Sequence, residues 1–454
     1  MRVHFIAIGG SAMHNLAIAL HHKGYTVSGS DDEIFEPSRT RLATLGLLPA
    51  TEGWDPSRIT SGLDAVILGM HAKADNPELL MAKEKGIRIF SYPEYLYEQA
   101  KDKKRVVIGG SHGKTTITAM ILHVLRLSGV DCDYMVGAQL QGYDVMVRLS
   151  READVMIFEG DEYLTSPIDR RPKFHLYKPH IALLSGVAWD HINVFPTFEN
   201  YVEQFREFIR LIEPAGTLIY CQDDETLNGI CPGARNDLRI IPYNLPEYRK
   251  TGSACSVLID EMAYPLKVFG RHNLLNLSGA MQVCSELGIR PEQFLESMAT
   301  FRGASKRLEL VSEKGSSSVF KDFAHAPSKV KATLNAVREQ FPSRRVVACL
   351  ELHTYSSLSK EFLPHYLHCL DEADLPMVYF NPHAIQIKRL PPITPEQVRE
   401  GFGNEDLKVY TSSRELQSEL LSMNWENAVL LLMSSGDYDG INIQELADKV
   451  TNRE

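Results

Sequence analysis

The chain has 454 residues, 44% of them hydrophobic and 23% charged, the proportions of a soluble globular protein. A formal charge of −10 with no Lys/Arg-rich tract argues against nucleic acid as a partner, and no apolar run approaches the ~20 residues of a membrane span. Its length predicts about three domains. The 7 cysteines are scattered without a Cys-x-x-Cys pair, which predicts reduced thiols. Residues 3–8 read as a strand and not as a secretory leader. A cytoplasmic location is therefore expected.

In chain order, the strand-like run 3–8 meets a turn, Gly9-Gly10-Ser11, and a helix-like run over 12–22 that includes Met13. Such a junction is where a diphosphate commonly binds, although only the middle glycine of a strict Gly-x-Gly-x-x-Gly is present, and an ordinary turn fits equally. Asp31 and Asp32 follow the next strand-like run, where an acid can hold a ribose hydroxyl. Gly9, Gly10, Ser11, Met13 and Asp31 are thus candidate binding residues for a nucleotide or diphosphate-sugar. Strand-like runs at 65–68 and 87–90 alternate with helix-like runs at 78–85 and 94–99, a parallel-sheet signature. The polar stretch Lys101-Asp102-Lys103-Lys104 then suits a domain boundary, giving domains at 1–103, 104–304 and 305–454.

The second domain opens with the strand-like Arg105-Val106-Val107-Ile108, the loop Gly109-Gly110-Ser111-His112-Gly113-Lys114-Thr115-Thr116, and a helix over 117–127. Glycines let backbone N–H groups converge on phosphate oxygens, and the helix N-terminus adds positive potential. Lys114 has the reach of the β/γ-phosphates, and Thr115 has a hydroxyl for Mg²⁺. Gly110 and Gly113 enclose only Ser111 and His112, so the loop is shorter than a standard Walker A.

Glu159 ends the apolar strand-like run 154–158 within Glu159-Gly160-Asp161-Glu162-Tyr163. It is a candidate Mg²⁺ ligand, the other reading being a solvated acidic turn. His191, in Trp189-Asp190-His191, is either an imidazole ligand to a second metal or simply hydrogen-bonded. Asn273 and Asn276 lie three apart on a helix-like run over 272–287, which suits adenine recognition and equally suits helix capping. Arg307, just beyond Gly303, is placed to swing with the third domain onto a terminal phosphate. Asp322 and His325 precede a Pro327-initiated helix, as a site pair or as a helix-entry turn. Strand-like runs at 345–350 and 428–433 complete a third α/β unit.

Taken in order, Gly9-Gly10…Met13, Gly110…Gly113-Lys114-Thr115-Thr116, Glu159…Asp161-Glu162, Asp190-His191, His272-Asn273…Asn276, Lys306-Arg307-Leu308-Glu309 and Asp322-Phe323…His325…Pro327 resemble the Mur ligase family over essentially the whole chain. The resemblance implies an α/β fold of three domains: an N-terminal Rossmann-like UDP-muramyl domain, a central phosphate-loop ATPase and a C-terminal Rossmann-like domain. It implies an ATP- and Mg²⁺-dependent ligase joining the carboxylate of UDP-N-acetylmuramate to an amine through an acyl phosphate, in cell-wall biogenesis.

The roles implied are catalytic for Lys114, His191, Arg307 and His325. ATP contacts are implied for Gly110, Ser111, His112, Gly113, Lys114, Thr115, Thr116, Asn273, Asn276, Arg307 and Asp322. Metal contacts are implied for Thr115, Glu159 and His191.

Three stretches, Ser91-Tyr92-Pro93-Glu94-Tyr95-Leu96, Asp169-Arg170-Arg171-Pro172-Lys173-Phe174 and Asp190-His191-Ile192-Asn193-Val194-Phe195, resemble the branch that attaches the muropeptide tripeptide L-Ala-γ-D-Glu-meso-diaminopimelate in recycling. Asp75-Asn76-Pro77-Glu78 leans toward the branch that adds L-alanine. Ala7, Ala326 and Ser435-Gly436-Asp437-Tyr438 depart from the family pattern. Outside the family, an ATP-binding switch that makes no amide bond is the other reading of the loop.

Overall fold

The computed structural model describes every residue except 141, 190–193, 252–253, 302, 304–306 and 453–454; the side chains of 251 and 254 are likewise left aside. By its contacts the chain divides into two compact units, residues 1–246 with 275–298 and residues 247–274 with 299–454.

The first unit holds two sheets. Strands β1 (Arg2–Ile6), β2 (Thr26–Ser30), β3 (Ala65–Leu68) and β4 (Ile89–Ser91) form a parallel sheet of order β2-β1-β3-β4. Helices α1 (Ser11–His22), α2 (Ser38–Thr44), α3 (Pro77–Glu84) and α4 (Tyr92–Ala100) connect and follow these strands. One face is closed by Ile6, Val66 and Leu68 packing on Leu79 and Ala82 of α3. That helix starts where it does because the Asn76 side chain accepts from the N–H groups of Glu78 and Leu79, and Pro77 presets its first turn. Helix α4 starts at a capping box between Ser91 and Glu94.

The second sheet contains β5 (Lys104–Gly109), β6 (Asp133–Met135), β7 (Val147–Arg148), β8 (Val155–Glu159), β9 (Ile181–Leu184), β10 (Thr217–Cys221) and β11 (Arg239–Tyr243), in the order β11-β10-β9-β5-β8-β6-β7. Only the edge strand β7 runs antiparallel. The loop strand β5 is central, between β8 and β9, and both neighbours deliver their carboxyl ends beside it. Helix α5 (Lys114–Leu127) leaves that loop. Helix α6 (Phe198–Arg210) lays Tyr201, Val202, Phe205, Phe208 and Ile209 inward, at the spacing of one helical face. Phe174 stacks on Phe208 at 4.6 Å and meets Phe205 edge-on at 5.6 Å, fixing α6 over the sheet. Helix α7 (Glu225–Ile230) is capped by Asp224.

The second unit begins with an antiparallel sheet of β12 (Tyr248–Thr251), β13 (Ala254–Ile259) and β14 (Met262–Leu266). Helix α8 (Arg271–Glu286) divides between the units at Leu274 and Leu275, and α9 (Pro291–Met298) belongs to the first. The main sheet orders β15 (Glu309–Lys314), β16 (Ser317–Asp322), β17 (Arg345–Leu352), β18 (Leu375–Phe380), β19 (Lys408–Tyr410) and β20 (Ala428–Met433) as β15-β16-β20-β17-β18-β19, with β15 antiparallel. The fully buried Trp425 anchors its core among Leu416, Leu420, Leu430 and Leu446. Phe269 meets Phe320 of β16 and Phe341 edge-on, which explains why the segment 247–274 coheres with this sheet.

All 7 cysteines are free and buried. Among the described residues no helix is long and apolar enough to cross a membrane.

Candidate active site

The loop after β5 has the geometry its composition predicts. Gly110 has φ +128° and Gly113 φ +77°, values that L side chains rarely adopt. A Cβ at Gly110 would run into the Ser185 hydroxyl, and one at Gly113 into the Asn276 amide. Asn276 therefore lies directly against the loop. Ser185 is at the end of β9, and its hydroxyl donates to the His112 carbonyl while its N–H donates to Gly109 O at 3.1 Å.

Lys114, at the first position of α5, places its Nζ 2.6 Å from Gly110 O and 2.6 Å from Glu162 Oε2. Burial alone would lower the Lys114 pKa, but the carboxylates of Glu162, Asp161 and Glu159 outweigh it and raise it, so the ammonium stays charged. Glu162 is 1% exposed. It also accepts from Tyr201 Oη at 3.1 Å, and that hydroxyl lies 2.8 Å from Ser111 Oγ. Ser111 Oγ accepts in turn from the Ala188 N–H at 2.9 Å.

Thr115 Oγ1 donates to Glu159 Oε1 at 2.6 Å, and Gly137 N–H to Glu159 Oε2 at 2.8 Å. This hydroxyl and carboxylate pair suits Mg²⁺, which takes a few protein oxygens and fills its octahedron with water and phosphate. Among the described residues no cluster of three or more His, Cys, Asp or Glu side chains forms a complete protein cage. Asp161 pairs with Lys173 at 2.5 Å; burial would raise its carboxyl, but Lys173 and Lys114 hold it below the usual range. Asp161 and Lys173 thereby fold the stretch 169–174 back toward the acidic segment, helped by the Leu164–Pro172 bridge. His191 lies outside the described residues.

In the first sheet, the turn after β1 is held by Asp31, whose Oδ2 accepts the Gly9 N–H at 2.7 Å. Burial pushes the Asp31 carboxyl up to about 6, against the Gly9 hydrogen bond and with Asp32 adding to the rise. Ala7 has φ +68°, which accounts physically for the glycine usual at that place. His71, beyond β3, approaches the same turn: its Cδ2 lies 3.8 Å from where a Cβ on Gly10 would stand. Met13 is buried and Ser11 exposed.

In the second unit, Asp322 ends β16 and ties the chain entering the sheet to the chain leaving it. Its Oδ2 accepts Leu308 N–H at 2.5 Å and its Oδ1 accepts Ala324 N–H at 2.6 Å. Burial raises the Asp322 carboxyl, with Arg307 opposing. The Arg307 guanidinium sits 4.7 Å from the Phe323 ring centroid, so Arg307, Asp322 and His325 do gather at one strand end. His325 Nδ1 is 2.8 Å from Phe323 O, a carbonyl that can only accept, so Nδ1 carries a proton. Asn273 donates to Phe269 O at 2.9 Å, a link back to the preceding turn and not a cap of the first helical N–H groups.

Tyr201 and Ser185 take part in the site without having been singled out by the sequence, and Glu162 was given no role of its own. Glu162 lay inside a legible acidic motif. Tyr201 and Ser185 carry no signal, since an aromatic on an amphipathic helix and a serine ending a strand are commonplace.

A strand, a glycine-rich Gly-Lys-Thr loop, a helix and a carboxylate on the adjacent strand are the arrangement of an ATP-dependent ligase when the same chain carries an N-terminal parallel sheet and a C-terminal α/β unit of this kind. Three families match in succession: Mur ligase family, catalytic domain, at residues 2–104; Mur ligase middle domain at 108–284; and Mur ligase, glutamate ligase domain, at 306–436. The UDP-N-acetylmuramate–L-alanine ligase of Syntrophomonas wolfei is 31% identical over 98% of this chain and 96% of its own. The solved UDP-N-acetylmuramate–alanine ligase of Thermotoga maritima superposes with a TM-score of 0.71, covering 100% of this chain and 99% of that one at 20% identity. The UDP-N-acetylmuramate:L-alanyl-γ-D-glutamyl-meso-diaminopimelate ligase of Neisseria meningitides gives a TM-score of 0.59 at 25% identity, over 66% of this chain and 98% of that one. The chain belongs to the Mur ligase family, whose members are ATP-dependent ligases that form C–N bonds.

Proposed function

We propose that this ligase joins the lactyl carboxylate of UDP-N-acetylmuramate to the amino group of L-Ala-γ-D-Glu-meso-diaminopimelate. A carboxylate is a poor electrophile, and its oxygen first attacks the γ-phosphorus of ATP, releasing ADP and forming an acyl phosphate. The peptide nitrogen then attacks the acyl carbon, loses a proton, and phosphate departs with both electrons of the C–O bond.

Lys114 neutralises the β/γ-phosphates, and the N-terminus of α5 adds its dipole. Thr115 and Glu159 are the residues to hold Mg²⁺, which supplies charge neutralisation between the anions. Gly9, Gly10, Ser11, Met13 and Asp31 receive the uridine nucleotide, Asn273, Asn276 and Asp322 the adenosine, and Arg307 the terminal phosphate. His191 would be a ligand to a second metal, and His325 would lie near the incoming amine.

The observation carrying this reading is the paired contact of adjacent loop residues, Thr115 to Glu159 at the end of the strand next to the loop and Lys114 to Glu162 just beyond it. The tripeptide is favoured by the stretch 169–174, which resembles the peptide-adding branch and is folded next to that acidic segment by the Lys173–Asp161 pair. L-Alanine is the second reading, supported by the 31% identity to the alanine ligase of Syntrophomonas wolfei across nearly the whole chain.

The test is phosphate release from ATP with UDP-N-acetylmuramate and either amine. Release with the tripeptide alone supports the proposal. Release with free L-alanine alone replaces it, and release without any amine points to a nucleotide switch.

A further inference from the structure

Two adjacent buried side chains that the chemistry above does not use, His14 at 2% and Asn15 at 0% exposure, join the glycine turn of the first sheet to the second. His14 Nδ1 lies 3.0 Å from Gly10 O, the carbonyl of that turn, and 3.0 Å from Ser38 Oγ. Its Nε2 faces two donors, Asn15 Nδ2 at 3.0 Å and Arg41 Nη1 at 3.2 Å, so Nε2 accepts and the proton resides on Nδ1. Burial, opposed by the Gly10 hydrogen bond and helped by Arg41, lowers the His14 pKa and keeps the ring neutral.

The other ends of these partners reach the loop before β7. Arg41 Nη2 donates to Asp144 O at 2.9 Å, and Asn15 Oδ1 accepts Met146 N–H at 3.2 Å. Met146 O then accepts Val136 N–H at 3.0 Å, and the next residue, Gly137, donates to Glu159. Hydrogen bonds, together with the backbone link from Val136 to Gly137, thus connect the Gly10 carbonyl to the candidate magnesium carboxylate.

We propose that His14 and Asn15 are positioning residues that hold the Gly9–Gly10 turn in register with the 144–146 loop, and through it with Glu159, so that the uridine nucleotide is presented to the loop carrying the phosphates. This rests on the assignment of the turn to UDP-N-acetylmuramate. A displaced turn binds the acceptor poorly but leaves the phosphate loop intact, so the loss falls on one substrate.

The experiment compares full-length wild type, His14→Ala, His14→Gln, Asn15→Ala and the more exposed Arg41→Ala by amide hydrogen exchange and steady-state kinetics. His14→Ala, Asn15→Ala and Arg41→Ala are expected to speed exchange at both residues 9–11 and residues 144–147. They are also expected to raise KM for UDP-N-acetylmuramate about tenfold or more, with KM for ATP and kcat changed by less than about threefold. His14→Gln, whose amide oxygen replaces Nε2 as acceptor, recovers most of both effects.

Exchange unchanged in those two segments, or rising uniformly through the fold, overturns the proposal, as does a KM held within about twofold. Should the two alanine variants at His14 and Asn15 not fold, Arg41→Ala and His14→Gln decide by the same criteria. If wild type does not turn over UDP-N-acetylmuramate, the functional reading falls, while the exchange of the two segments still judges the clamp.

Discussion

Lys114 Nζ is held 2.6 Å from Glu162 Oε2, a carboxylate almost wholly out of water. The lysine proposed to neutralise phosphate therefore has a buried carboxylate partner. Removing one member of a buried pair strands the other charge, which costs about 3–5 kcal/mol. Glu162→Gln is expected to lower stability on that scale. A non-hydrolysable ATP analogue should restore a larger share of the melting temperature in the variant than in wild type, since phosphate replaces the missing anion. Equal ligand-induced shifts in the two proteins would show that Lys114 does not meet phosphate.

Lys114→Ala is expected to reduce turnover on the order of 10² or more, the scale for loss of one principal electrostatic contact in a transition state. Phosphate release under saturating substrates measures it. Near-normal ligation would contradict the role assigned to the loop.

The 2.6 Å contact from Thr115 to Glu159 makes a prediction about metal. Chelation by EDTA should abolish phosphate release. Glu159→Gln and Thr115→Val should each raise the Mg²⁺ concentration needed for half-maximal rate by about tenfold, the usual loss for a weakened metal site. An unchanged magnesium titration in both variants would place the metal elsewhere.

Asp31 gives a pH signature. Its carboxyl is pushed up to about 6 from an ordinary 3.8, so the folded protein holds that proton more tightly than the unfolded chain. Its contribution to stability is therefore fully present below 3.8 and lost as pH rises through about 6. On the proposed assignment of Asp31 to the ribose, binding runs the other way, because the ionised form accepts the Gly9 N–H and would accept a ribose hydroxyl as well. KM for UDP-N-acetylmuramate should fall as pH climbs through about 6, and Asp31→Asn should flatten that step. A step that persists in Asp31→Asn belongs to another group.

Gly113→Ala tests the loop backbone. With φ at +77° and the Asn276 amide where a Cβ would stand, alanine there is strained and crowded, at a cost of about 1–3 kcal/mol. Turnover should fall with it. Gly46→Ala is the control: its φ is +67° and open space lies where its Cβ would be, so it carries backbone strain without the clash and should leave turnover intact.

The amino-acid order alone was enough for the parts whose physics is local. The apolar runs that became β1, β3, β5, β8, β17 and β20 are buried parallel strands with short, strong signals. Gly110 to Thr116 is contiguous, so its place at a strand–helix junction and its family could be read directly, as could Glu159 at the end of its strand. Strands β11 and β19 lie at sheet edges and β12 to β14 in a small antiparallel sheet, where exposed polar positions blur the hydrophobic period.

Tertiary structure decided what depends on residues distant in sequence meeting one another. Glu162 and Tyr201 were joined to Lys114 only when β8 and α6 packed around β5. Phe269, Phe320 and Phe341 drew residues 247–274 into the second unit, and Asp322 became the tie between Leu308 and Ala324. His14 and Asn15 read as unremarkable members of an amphipathic helix until folding set Arg41, Asp144 and Met146 against them. Hydrogen bonds and ion pairs act over a few ångströms, a separation that chain order does not encode for groups tens or hundreds of residues apart.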